Sequence, residues 1–78
     1  MANINLQDIQ HHAEVIGSDR QHVGTVDHLD GQDKIKLAKN DQAAQGQHHY
    51  IPTQWVQQIQ GNQVVLNKTA EQVFQQWQ

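Results

Sequence analysis

A chain of 78 residues, 36% hydrophobic and 5% aromatic, has room for one domain with a thin core. The absence of cysteine excludes disulfides and thiolate metal centres, and five Lys+Arg against eight Asp+Glu, a formal charge of -3, do not supply the basic excess of a general nucleic-acid binder. No apolar run reaches membrane-spanning length, and the opening MANINLQDIQ lacks the basic-then-apolar layout of a signal peptide, so a cytoplasmic protein without membrane contact is expected. For so small a domain, buried area and chain entropy nearly cancel. Self-association into a homo-oligomer is therefore expected to complete the core.

In chain order, Asn3 to Gln10 is short and mixed, with Ile4, Leu6 and Ile9 available to cover one end of a barrel through a single helical turn. His11 to Ile16 is expected as the first strand, with Ala13 and Val15 on one face and Glu14 and Ile16 on the other. Gly17-Ser18-Asp19-Arg20 is a turn. Gln21 to Leu29 is the second strand, but Val23 and Val26 are three apart, so a β-bulge at Gly24-Thr25 is needed to bury both. Across the Asp30-Gly31 turn, Lys34-Ile35-Lys36-Leu37 alternates, lysines out and apolar residues in.

Lys39 to Gln47 is a polar loop, and His48 to Pro52 is an extended stretch ended by proline, which cannot donate to a ladder. Thr53-Gln54-Trp55 is a turn that seats the tryptophan. Val56 to Gln60 and Gln63 to Leu66 form a second hairpin across Gly61-Asn62. The chain closes with a helix over about 69–77: Thr69 and Gln72 make a capping-box pattern, and Ala70, Val73, Phe74 and Trp77 form one apolar stripe. The many glutamines interleave with apolar positions rather than forming a tract, which favours a solubilising role over a polar-zipper surface.

Two phrases resemble a known family. VIGSDRQHVGTVDHLDG resembles the opening of the PRC-barrel fold, and HHYIPTQWVQQIQGNQVVLNK resembles the small DUF2171 domains of that superfamily. Together they span roughly Ile9 to Trp77. The resemblance implies an all-β, PRC-barrel-like small barrel of short antiparallel strands with a short C-terminal helix, occupying 1–78 as a single domain with the barrel over about 9–67. Relatives in a photosynthetic reaction-centre subunit and a ribosome-maturation factor act as docking modules. No catalytic residue carries over. Arg20 stands where the family's turn often has glycine.

Six histidines raise a metal site, but His11-His12 and His48-His49 are adjacent pairs, and neighbours in a strand face opposite ways. A site would need His11 or His12 with His48 or His49 across strands; the plainer reading is surface histidines. Should those four lie on neighbouring strands, their repulsion when protonated would weaken assembly or partner binding between about pH 7 and 5. Ser18 lies in a turn without a nucleophile context. Asp27, Asp30 and Asp33 do not match a calcium loop and fit turn chemistry better. Tyr50, Trp55, Phe74 and Trp77 are the candidates for an interaction surface, with core packing as the alternative.

These features lead to a non-enzymatic protein-interaction or docking module with no cofactor, its protein partner unnamed. The alternative is a histidine-mediated metal-binding or pH-responsive protein, and an RNA- or ribosome-associated factor comes third.

Overall fold

Six strands and one helix form largely where hydrophobic alternation places them in the computed structural model, which describes residues 8–41 and 46–77. The strands are β1 (Glu14–Ile16), β2 (His22–Asp30), β3 (Lys34–Leu37), β4 (Tyr50–Pro52), β5 (Val56–Gln60) and β6 (Gln63–Leu66), and the helix is α1 (Ala70–Gln76). A 3-10 turn, Thr53–Trp55, joins β4 to β5. The expected residues Ile4 and Leu6 lie outside the described residues, and Ile9 is buried.

The strand order is β4-β3-β2-β1-β6-β5. Every pairing is antiparallel except β1 with β6, where Glu14, Val15 and Ile16 run parallel to Gln63, Val64 and Val65. The expected closed barrel of antiparallel strands is therefore replaced by an open mixed sheet. Its two edges, β4 and β5, are consecutive in the chain and only a three-residue turn apart, so the sheet curls. No ladder joins those edges, and Pro52, at the end of β4, has no N–H to contribute.

Three ladders carry an extra residue. Val15 faces Gly24 while Ile16 faces His22, leaving Val23 as the extra residue on β2. Val26 faces Leu37 while His28 faces Lys36, which leaves Asp27, and the β5–β6 ladder leaves Gln57. The expected irregularity near Gly24 is present, centred one residue earlier, and Val23 and Val26 are both buried at 0% and 1% exposure. Each bulge adds local twist, and together they bend a long strand around a small core.

β1 is shorter than alternation suggested. His11 and His12 belong to a turn, with His12 at φ 66°. Its N–H donates to the Val26 carbonyl at 2.8 Å, which anchors that turn to β2. Ala13 remains buried although it is not in the strand.

One cluster forms the core, built from Val15, Val23, Val26, Ile35, Leu37, Ile51, Val56, Val64 and Leu66, and roofed by Ala70 and Val73 of α1. Each of the Val, Ile and Leu side chains contributes about 1.5–3 kcal/mol on burial. The helix starts as its sequence requires. The Thr69 hydroxyl accepts from Gln72 N–H at 3.2 Å, and the Gln72 side-chain oxygen accepts from Thr69 N–H at 3.0 Å. Asp19 reaches from the β1–β2 turn to accept from Ala70 N–H at 3.3 Å, while Ser18 N–H donates to the Lys68 carbonyl at 2.8 Å.

That docking leaves no room at Gly17. A Cβ there would lie 2.5 Å from Ala70 N and 2.9 Å from the Lys68 carbonyl oxygen. Gly17→Ala should cost about 2–3 kcal/mol in chemical denaturation, because the obstacle is backbone that cannot turn aside. Gly24→Val should cost about 1–3 kcal/mol by pressing on Leu37, whose Cδ1 lies 3.3 Å from where a Cβ would sit. Arg20 holds φ 67°, at the position where the family resemblance leads one to expect glycine. Arg20→Gly should raise stability by up to about 1 kcal/mol, since relief of left-handed backbone strain exceeds the entropy that glycine adds to the unfolded chain. An unchanged or lowered denaturation midpoint would refute that assignment.

Candidate functional site

The 3-10 turn between the two sheet edges borders a concavity. Thr53 ties it to the β2–β3 hairpin: its N–H donates to the Asp33 carbonyl at 2.9 Å and its hydroxyl to the Gln32 carbonyl at 3.1 Å. Asn67 ties it to the end of β6, through its N–H to the Trp55 carbonyl at 2.8 Å and its side-chain amide to the Gln54 carbonyl at 3.3 Å. Held from both sides, the turn borders a cleft of about 910 Å³ whose walls include Asp33, Lys34, Tyr50, Pro52, Trp55 and Gln76. Tyr50 and Trp55 are half-buried, and the Lys68 ammonium sits 5.4 Å from the Trp55 ring centre.

The other two expected interaction residues lie on α1 and just beyond it. The helix stripe splits: Ala70 and Val73 are buried, whereas Phe74 is 42% exposed. Trp77 packs against Phe74, ring centres 4.9 Å apart, and stacks on His49 at 3.9 Å with planes 8° from parallel. His49 immediately precedes Tyr50, and Gln76 lines the cleft. All four aromatics therefore gather where β4, the 3-10 turn and the last turn of α1 meet.

The four histidines considered for a metal do not share a sheet edge. His11 and His12 lie in the turn before β1, His48 and His49 lie before β4, and β2 and β3 stand between. Their mutual repulsion across neighbouring strands thus has no structural basis. His48 Nδ1 approaches the Leu37 carbonyl at 2.9 Å and the Asp27 carboxylate at 3.8 Å, and His28 Nδ1 lies 3.7 Å from the same carboxylate. No group of three or more His, Cys, Asp or Glu among the described residues is placed to hold a metal ion.

Among the described residues, the polar cluster with the closest contacts is one that the sequence did not single out. His22 on β2 is clasped by two carboxylates, with Nδ1 3.0 Å from Glu14 Oε2 and Nε2 2.8 Å from Asp41 Oδ2. The Thr25 hydroxyl donates to Asp41 Oδ2 at 2.6 Å, and the Gln63 amide donates to Glu14 Oε1 at 2.9 Å. The cluster therefore spans β1, β2, β6 and the loop after β3. Asp41 lies in the segment read as a polar loop, far from His22 in sequence, and no spacing rule marks the pair. Both ring nitrogens face acceptors, so a doubly protonated ring donates to both carboxylates, whereas a neutral ring can serve only one. This arrangement holds a proton. The one hydroxyl in the cluster donates to Asp41, so the imidazole is not placed to activate it.

Partial burial of His22 opposes its charge, but the contacts with Glu14 and Asp41 outweigh this and hold its pKa above the ordinary 6.5. The Glu14 pKa is held below 4.5, chiefly by the Gln63 amide and then by His22. The His22 contribution to stability is complete below pH 6.5 and is lost as pH rises through the raised value. The Glu14 contribution is present above pH 4.5 and is lost as pH falls through the lowered value. Urea midpoints should therefore be higher near about pH 5.5 than near about pH 8, and His22→Gln should flatten that difference. Because both side chains are 42% exposed, the effect should stay below about 1 kcal/mol. A midpoint that rises from pH 5.5 to 8 in the wild type and is unaffected by His22→Gln would refute the clasp.

Comparison with known proteins adds the family. No curated protein and no solved structure matches the chain. No helix among the described residues is long and apolar enough to cross a membrane. The family model described as "Uncharacterized protein conserved in bacteria (DUF2171)" matches residues 9–74, from the buried Ile9 through both hairpins and into α1, and the chain therefore belongs to the DUF2171 family.

Proposed function

We propose that this chain is a non-enzymatic, cytoplasmic protein-docking module on a PRC-barrel-like scaffold, and that it self-associates. The observation that carries the reading is the gathering of Tyr50, Trp55, Phe74 and Trp77 at one junction, around an open cleft and on an exposed helix flank. Aromatic side chains supply large contact area at low conformational cost, which is why they anchor protein interfaces. The curl of the sheet, with its two edge strands linked by three residues, supports the scaffold assignment. The histidine-based alternative has less behind it. The clasp at His22 joins strands of the chain's own fold, and the adjacent histidine pairs are separated by two strands.

Sedimentation of the purified chain at micromolar concentration should show a species heavier than the 8.9 kDa monomer. Phe74→Ser should return it toward monomer with its circular dichroism unchanged, because Phe74 is exposed and α1 keeps its cap and its buried residues. A wild-type chain that stays monomeric throughout that range would overturn the self-association.

A further inference from the structure

The hydrogen-bond pattern of β4 fixes which of its backbone groups face outward. Leu37 N–H donates to the His49 carbonyl, and Thr53 N–H donates to the Asp33 carbonyl. In this register Ile35 faces Ile51, so the hydrogen-bonded pairs fall at His49, Ile51 and Thr53. Tyr50 opposite Lys36, and Pro52 opposite Lys34, are non-hydrogen-bonded pairs. Pro52 caps the 3-10 turn, so its C=O accepts within that turn, whereas the N–H and C=O of Tyr50 point away from β3, at an edge where β4 has no second strand among the described residues. These groups are presented beside the cleft, whose walls include the side chains of Tyr50, Pro52 and Trp55.

The charges around the edge are not those of the chain as a whole. Lys36 and Lys34 are the register partners of Tyr50 and Pro52 and share their face of the sheet, and Lys68 lies over Trp55. Three of the five Lys+Arg of an acidic chain thus border the edge and the cleft. The nearby counter-charges are Asp33 in the cleft wall and Asp30 opposite Lys34.

We propose that the β4 edge and its cleft bind an extended acidic peptide segment of a protein partner, which adds to the sheet at Tyr50, sets side chains against Pro52 and Trp55, and brings a carboxylate to Lys34. This rests on the docking reading above and names its partner class. A helix presents no free main-chain groups to match Tyr50, whereas an extended strand does. Complementary charge then selects among extended segments.

A random linear peptide library displayed on phage and panned against the intact chain supplies the probe. Enriched peptides should be acidic and rich in strand formers. As synthetic peptides they should perturb the amide resonances of Tyr50 to Trp55 and slow hydrogen exchange at the Tyr50 amide. N-methylation walked along a bound peptide should abolish binding at the one amide that donates to the Tyr50 carbonyl and be tolerated at its two neighbours, whose N–H groups face away from the edge. Lys34→Glu, at an exposed side chain, should weaken binding about three- to tenfold. Failure to enrich any peptide, enrichment of helix-forming or basic peptides, or perturbation confined to another face would each overturn the proposal. Sedimentation reads the self-association separately: an oligomer without peptide binding removes only the strand site, and a peptide-binding monomer removes only the assembly.

Discussion

The parallel pairing of β1 with β6 is the constraint on which the rest of the structure depends. Three residue pairs, Glu14 to Ile16 with Gln63 to Val65, bring the beginning and the end of the domain side by side. A parallel neighbour needs a long connection, and here that connection is most of the protein: three strands, β2, β3 and β4, spread to one side of β1, and the chain then returns to the far side of β6 as β5. Two consequences follow. The β1–β2 turn comes to lie against the start of α1, so Gly17, Ser18 and Asp19 engage Lys68 and Ala70. The two strands left at the edges, β4 and β5, are consecutive in sequence, so the turn between them closes the space that a ladder does not.

Much of this was legible in the residues, and the limits have physical causes. Both hairpins, the helix with its capping box and the burial of Val23 with Val26 follow from turn chemistry and periodicity, which are local signals. The parallel pair left no such trace: VI of β1 and VV of β6 look alike whether a neighbour runs with them or against them. Ile16 and Val65 show the same limit, since register partners buried at 4% and 5% contradict a simple alternation of inside and outside. Strands paired in parallel tend to be covered on both faces. The candidate site divides in the same way. Tyr50 and Trp55 were recognisable as large amphipathic side chains beside a proline, and the structure places both in one cleft wall. The clasp on His22 was not recognisable, because Glu14, Asp41 and Gln63 converge on it only after the strands are ordered.

The two edges of the sheet differ in what they would offer an incoming strand. An exposed edge strand is a template for uncontrolled pairing, and natural sheets blunt it with charge, proline, shortness or bulges. β5 offers five uncharged residues, but its ladder is broken at Gln57, and a bulge twists an edge away from a flat partner. β4 is limited differently: it has three residues, and its last one is proline. Only Tyr50 can both donate and accept outward, so the main chain alone gives an incoming strand few hydrogen bonds, each worth only about 1 kcal/mol net. Stable docking at β4 must therefore draw on side chains, and those nearest are the aromatic walls of the cleft and the lysines around it. The same proline that limits sheet extension would thereby make the proposed binding at this edge depend on what the partner's side chains are.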